Sequence, residues 1–111
     1  MRNSASEVRR DDQGYLFDPD DWTAQLADNL ATEEGLVLAD EHWLIVQFIR
    51  DYHDNHGITP DIRHAAKFLG EQRGCDKKQG KALIFELFPY GYVKQACKIA
   101  GMRRPRAWST G

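Results

Sequence analysis

Cysteine is scarce in this chain: only Cys75 and Cys97 occur among 111 residues, so a disulfide-stapled scaffold is excluded. A zinc site would have to recruit several of His42, His53, His56 and His64 as well. Long apolar runs are missing too. Nothing approaches the ~20 apolar residues that cross a bilayer, and the start MRNSASEVRRDDQG has no apolar segment of the export type. The expected address is therefore the cytoplasm, where both cysteines would stand as thiols. There is no G-x-G-x-x-G, no Walker sequence and no H-E-x-x-H, so no cofactor and no metal are expected. Acids also run out along the chain. After Glu86 there is none, whereas Lys94, Lys98, Arg103, Arg104 and Arg106 follow.

What is present suits one soluble domain over 1–111: 41% hydrophobic residues, 29% charged residues and a mean hydropathy of −0.63. The net charge of −2 conceals an asymmetry. Residues 1–60 hold 13 acids and 4 bases, and residues 61–111 hold 4 acids and 11 bases. Two readings of that dipole stay open. Either the basic half attracts an anionic partner, or it pairs with the acidic half inside the monomer.

Residues 1–13 are polar and are expected to be weakly ordered. Gly14-Tyr15-Leu16-Phe17 suits one strand of a small hairpin. Asp18-Pro19 predicts a helix start, with Trp22, Leu26 and Leu30 along one face and Gly35 closing it. A second helix is predicted from Asp40 to about Asn55, carrying Trp43, Leu44, Phe48, Ile49 and Tyr52. Thr59-Pro60 predicts a third, with Ile62, Ala65, Ala66 and Leu69, and Gly70 as its exit. A loop is expected over 71–80, then a short apolar element with Ala82, Leu83, Phe85 and Leu87. The last helix runs from about Tyr92 to Ala100, with Gly101 as a left-handed cap and 102–111 as a basic arm. Trp43, Phe48, Ile49, Ile62 and Leu87 are expected in one helical core.

The histidines read as solvent-facing helix residues or, less economically, as ligands; His53 and His56 lack partners at metal-binding spacing. The thiols offer more chemistry. Cys97 has Lys94, Lys98, Arg103 and Arg104 close in sequence, which favours a thiolate able to attack a persulfide. Against this, it lies near a helix C-terminus and shares an apolar stripe with Val93 and Ala100, as an inert core cysteine would. Cys75, between Arg73 and Lys77-Lys78, is either an activated thiol or an incidental surface one.

Six blocks carry a resemblance: Gly14-Tyr15-Leu16, Glu41-His42-Trp43, Phe48-Ile49-Arg50-Asp51-Tyr52, Thr59-Pro60-Asp61-Ile62-Arg63, Leu87-Phe88-Pro89-Tyr90-Gly91 and Lys94-Gln95-Ala96-Cys97-Lys98-Ile99-Ala100-Gly101. From about Gly14 to Pro105 the chain resembles the DsrC/TusE family of sulfur-trafficking proteins, which includes the gamma subunit of dissimilatory sulfite reductase and the persulfide carriers of tRNA thiolation. The resemblance implies an α+β, mostly helical fold: about five helices in an orthogonal array, a small N-terminal hairpin or meander, and a C-terminal arm bearing the working cysteine. It also implies sulfur-relay or sulfite-reductase-type proteins as partners.

The departures matter as much. Trp108 stands where the family has its arm cysteine, Arg103 replaces a proline and Ala107 a glycine. Cys97 matches the family's second cysteine, so it is the candidate catalytic thiol, with Lys94, Lys98, Arg103, Arg104, Arg106 and Trp108 as candidate partner-binding residues. The resemblance thus implies a sulfur carrier or sulfurtransferase component at most. An alternative is a non-catalytic regulator on the same scaffold, with DNA met by Arg63, Lys67, Lys77, Lys78 and Lys81.

Overall fold

A computed structural model describes residues 8–104, whose order is a 3₁₀ turn at Pro19–Asp21, four α-helices and a terminal π-helix. The helices are α1 (Ala24–Glu33), α2 (Asp40–His56), α3 (Ile62–Arg73) and α4 (Lys77–Leu87), and the π-helix is Tyr92–Cys97. Among the described residues no strand forms. The Gly14–Phe17 segment instead makes one antiparallel bridge, Arg10 to Leu16, while Tyr15 N–H donates to the Asp11 carboxylate. Three or four residues on each side of a tight turn cannot build a longer ladder. Of residues 1–13, expected to be weakly ordered, 1–7 lie outside the described residues; in the remainder Val8 packs on the core, and Asp11 N–H donates to Tyr15 O at 2.8 Å.

Caps move several predicted boundaries. Asp18-Pro19 starts only the 3₁₀ turn; α1 begins after Thr23, whose hydroxyl accepts from Leu26 N–H at 3.0 Å. The third helix begins after Asp61 rather than Thr59, because the Asp61 carboxylate accepts from both Arg63 and His64 N–H. The predicted loop over 71–80 shrinks to Gly74-Cys75-Asp76. Asp76 and Gln79 form a reciprocal capping box, which starts α4 three residues before Gly80.

Leu26, Leu30, Ile45, Ile49, Leu69, Ile84, Phe88, Tyr92, Ile99 and Met102 fill the core. Of the five residues expected there, Ile49 and Ile62 are buried, and Trp43, Phe48 and Leu87 pack against the core half-buried. Helices α3 and α4 cross closely enough that a Cβ on Gly80 would run into the Ala66 carbonyl, which is why glycine stands inside an otherwise ordinary helix. That crossing brings the first turn of α4 beside α3.

Candidate functional site

The π-helix decides where Cys97 points. In an α-helix, residues five apart face roughly 140° away from each other, but i→i+5 pairing brings them round to the same side. Tyr92 and Cys97 are five apart, and both are fully buried. Cys97 therefore lies inside the core, while Val93, its expected stripe partner, is only half-buried. Burial pushes the Cys97 thiol up to about 12, an effect that a hydrogen bond with the Tyr92 hydroxyl offsets only in part. Tyr92 is itself anchored, donating to Pro60 O at 2.7 Å.

The cations expected to serve that thiol are occupied elsewhere. Lys98 Nζ lies 3.3 Å from the Glu34 carboxylate and 5.2 Å from the Tyr15 ring centroid. Gln95, fully buried, accepts from Tyr90 N–H at 3.0 Å and donates to the other Glu34 oxygen at 3.3 Å. This network ties the end of α1 to the π-helix and engages Lys98 with a carboxylate, not with the thiol. Lys94 is exposed.

The start of the arm is equally constrained. Trp22 donates its indole N–H to Ile99 O at 2.8 Å, and Arg50 reaches Ala100 O at 2.8 Å and Pro19 O at 3.1 Å, lying 4.3 Å from the Trp22 ring centroid. Gly101 has φ +81°, and a Cβ there would strike the same indole. Beyond it Met102 is buried, Arg103 Nε donates to Phe17 O at 2.8 Å, and Arg104 lies 3.6 Å from Asp11 and 3.4 Å from Asp12. Arg103 and Arg104, expected to face partners, thus hold the arm's base on the N-terminal segment. A proline at position 103 could not donate that bond. Arg106 and Trp108 lie outside the described residues.

The second basic group is brought together by the α3–α4 crossing. Arg63, His64, Lys67 and Lys77 line one open cavity of about 390 Å³, whereas Lys78 and Lys81 are exposed on α4 and do not line it. Two further histidines are engaged in structure: His42 accepts from Ala39 N–H and bonds Leu87 O, and His56 packs on Tyr52. Among the described residues no cluster of three metal-ligating side chains occurs. Cys75, half-buried, lines another cavity with Arg73, Gln79, Ala82, Leu83 and Glu86.

Sequence reading passed over the residues that shape this site most: Trp22, Glu34, Arg50, Tyr92 and Gln95. Arg50 and Gln95 did stand inside the resembling blocks. Their partners, backbone carbonyls and a carboxylate far off in sequence, had no local signature.

A family profile described as "DsrC like protein" matches residues 3–107 and stops one residue before Trp108. Sulfurtransferase TusE of Buchnera aphidicola subsp. Schizaphis graminum is 38% identical over 99 residues, covering 89% of this chain and 86% of the relative. Sulfurtransferase TusE of Escherichia coli (strain K12) is 37% identical over 99 residues, covering 89% and 90%. Among solved structures, the oxidized gamma-subunit of the dissimilatory sulfite reductase (DsrC) from Archaeoglobus fulgidus aligns at TM-score 0.81 and 31% identity, covering 93% of both chains. Allochromatium vinosum DsrC aligns at 0.76 and 37%, covering 90% of this chain and 88% of that one. On sequence and on fold together, the chain belongs to the DsrC-like family of sulfur-relay proteins.

Proposed function

We propose that this chain serves its sulfur relay as a docking member whose own thiol is withheld from exchange. The observation that carries the reading is the burial of Cys97, the family-matched thiol, in a chain that has Trp108 in place of the arm cysteine. A persulfide carrier needs an accessible thiolate. Cys97 offers neither access nor a stabilised anion. The partners would be cytoplasmic sulfurtransferase or sulfite-reductase-type proteins, the kinds named among the relatives, met by Lys94, Arg106 and Trp108. The names reported above lend no support to DNA as a partner.

Intact mass spectrometry after incubation with a persulfide donor tests this. The native protein should gain no sulfur at Cys97. Trp108→Cys, which restores the family's thiol in place, should gain about 32 Da at the new residue. Rapid stoichiometric addition to Cys97, abolished by Cys97→Ser, would overturn the docking reading and make this chain a carrier in its own right.

A further inference from the structure

The cavity at the α3–α4 crossing has the marks of an anion site built from residues other than Cys97 and the arm. Its walls hold Arg63, His64, Lys67 and Lys77, and all four side chains reach solvent. Two of them are held in place by one carboxylate. Asp61 accepts from Arg63 Nε at 3.2 Å and Nη2 at 2.7 Å, and contacts His64 Nδ1 at 3.0 Å. The Tyr52 ring, 5.3 Å away, backs the imidazole. Arg63 keeps Nη1 and His64 keeps Nε2 for a further bond. Lys67 follows one turn along the same face of α3. Lys77 is delivered from α4 by the Gly80–Ala66 contact.

Charge completes the case. Neither Lys67 nor Lys77 forms an ion pair among the described residues, while Arg63 shares Asp61 with His64, so the cavity wall carries an excess of two positive charges. Like charges gathered this closely repel, and a bound counter-anion relieves that repulsion. We propose that this cavity binds a small tetrahedral dianion, the class that includes phosphate, sulfate and thiosulfate. The excess of two positive charges matches a dianion. The four groups converge on one concavity rather than forming a row, and Lys78 and Lys81 stand outside it, which favours a single ion over an extended polyanion.

The test uses the isotope-labelled full chain, titrated with phosphate, sulfate or thiosulfate while chloride holds the ionic strength constant. Saturable amide shifts should centre on residues 61–67 and 77. Lys67→Ala and Lys77→Ala should each weaken binding about tenfold, the loss expected of one charge-assisted hydrogen bond, while Lys81→Ala leaves it unchanged. Both lysines are exposed, so the amide spectrum itself will show that each variant is folded. Shifts spread over every basic surface, or equal loss in Lys81→Ala, would show general ionic screening and overturn the site. Binding of an RNA or DNA duplex far tighter than free phosphate, with Lys78 and Lys81 taking part, would overturn the small-ligand assignment.

Discussion

Two basic regions of this protein treat their charge in opposite ways. At the arm's base, Lys98 meets Glu34, Arg104 meets Asp11 and Asp12, and Arg50 and Arg103 donate to backbone carbonyls. At the α3–α4 crossing, Lys67 and Lys77 form no ion pair among the described residues. The first region is the one the sequence points to as a partner surface, and its cations are engaged by groups within the chain. The second carries the unmatched charge. Proximity in sequence to a cysteine or to the C-terminus is therefore a poor guide to which cations are available; Asp11, Asp12 and Glu34, placed beside the arm's base and the π-helix, decide it.

The largest expected effects come from closing the tight contacts that build each region. Gly101→Ala places a side chain at φ +81° and against Trp22 at once, so it should cost roughly 2–5 kcal/mol in urea unfolding, adding left-handed strain to overpacking. Gly80→Ala carries only the overpacking against the Ala66 carbonyl, about 1–3 kcal/mol. A reversed ranking would mean that the α3–α4 crossing, and not the arm's base, is the more rigid of the two.

Next comes the buried thiol beside the arm against the accessible one beside the crossing. With Cys97 at about 12, its thiolate is about one part in ten thousand at pH 8, and the group is enclosed as well. Cys75, half-buried in the α3–α4 turn, should react with a maleimide in the native state, while Cys97 should react only as fast as the protein opens. The same shift sets an alkaline limit. Cys97 and Tyr15, both raised by burial to about 12, hold their protons more tightly folded than unfolded. Their contribution is full below about pH 8.5 and is lost as pH rises toward 12, so stability should fall steeply across that interval. Native-rate labelling of Cys97 would remove the core assignment.

Much of the fold was legible because capping chemistry and apolar spacing are local. Ile49, Ala65 and Leu69 follow helical periods into the core, whereas Leu44 of the same stripe is exposed and Ile45 is buried beside it, and Gly57 ends α2 in the left-handed conformation. The errors share a cause. The start of α4 was hidden because Gly80 reads as a breaker until the Ala66 carbonyl beneath it is known. The stripe of Val93, Cys97 and Ala100 holds for the last two, which are buried, and misses that the π-helix sets Tyr92 rather than Val93 beside Cys97. For the site, the identity of the thiol could be read from the Lys94–Gly101 block. Its burial was one of two readings left open by the apolar stripe and the neighbouring cations, and the packing around it decides between them.

Arg50 sharpens the contrast between a cation that braces backbone and one that only pairs with an acid. It donates to two carbonyls and covers an indole, so Arg50→Ala should cost about 2 kcal/mol. The arm's base should also become sensitive to limited proteolysis, because Ala100 O and Pro19 O lose their shared donor. Arg50→Lys should recover little, since one ammonium cannot reproduce the fork or the stacking.

The smallest effect is the most telling, because the two regions should give opposite signs. Arg104 is an exposed partner of Asp11 and Asp12, so Arg104→Ala should lower stability by less than about 1 kcal/mol. Lys67 and Lys77 lie among like charges, so the double change to alanine should leave stability unchanged or raise it by a few tenths of a kcal/mol. Salt separates these effects from helix propensity and lost packing. The Debye length falls from about 10 Å at 0.1 M to about 3 Å at 1 M, so both electrostatic differences should shrink toward zero while any packing cost persists. Adding phosphate at constant ionic strength should then stabilise the wild type over the lysine variant, since a ligand that binds only the folded chain raises its stability. The Arg104 variant should keep the full phosphate response. If Arg104→Ala instead lost that response while the lysine variant retained it, the available charge would lie at the arm's base and the comparison would be inverted.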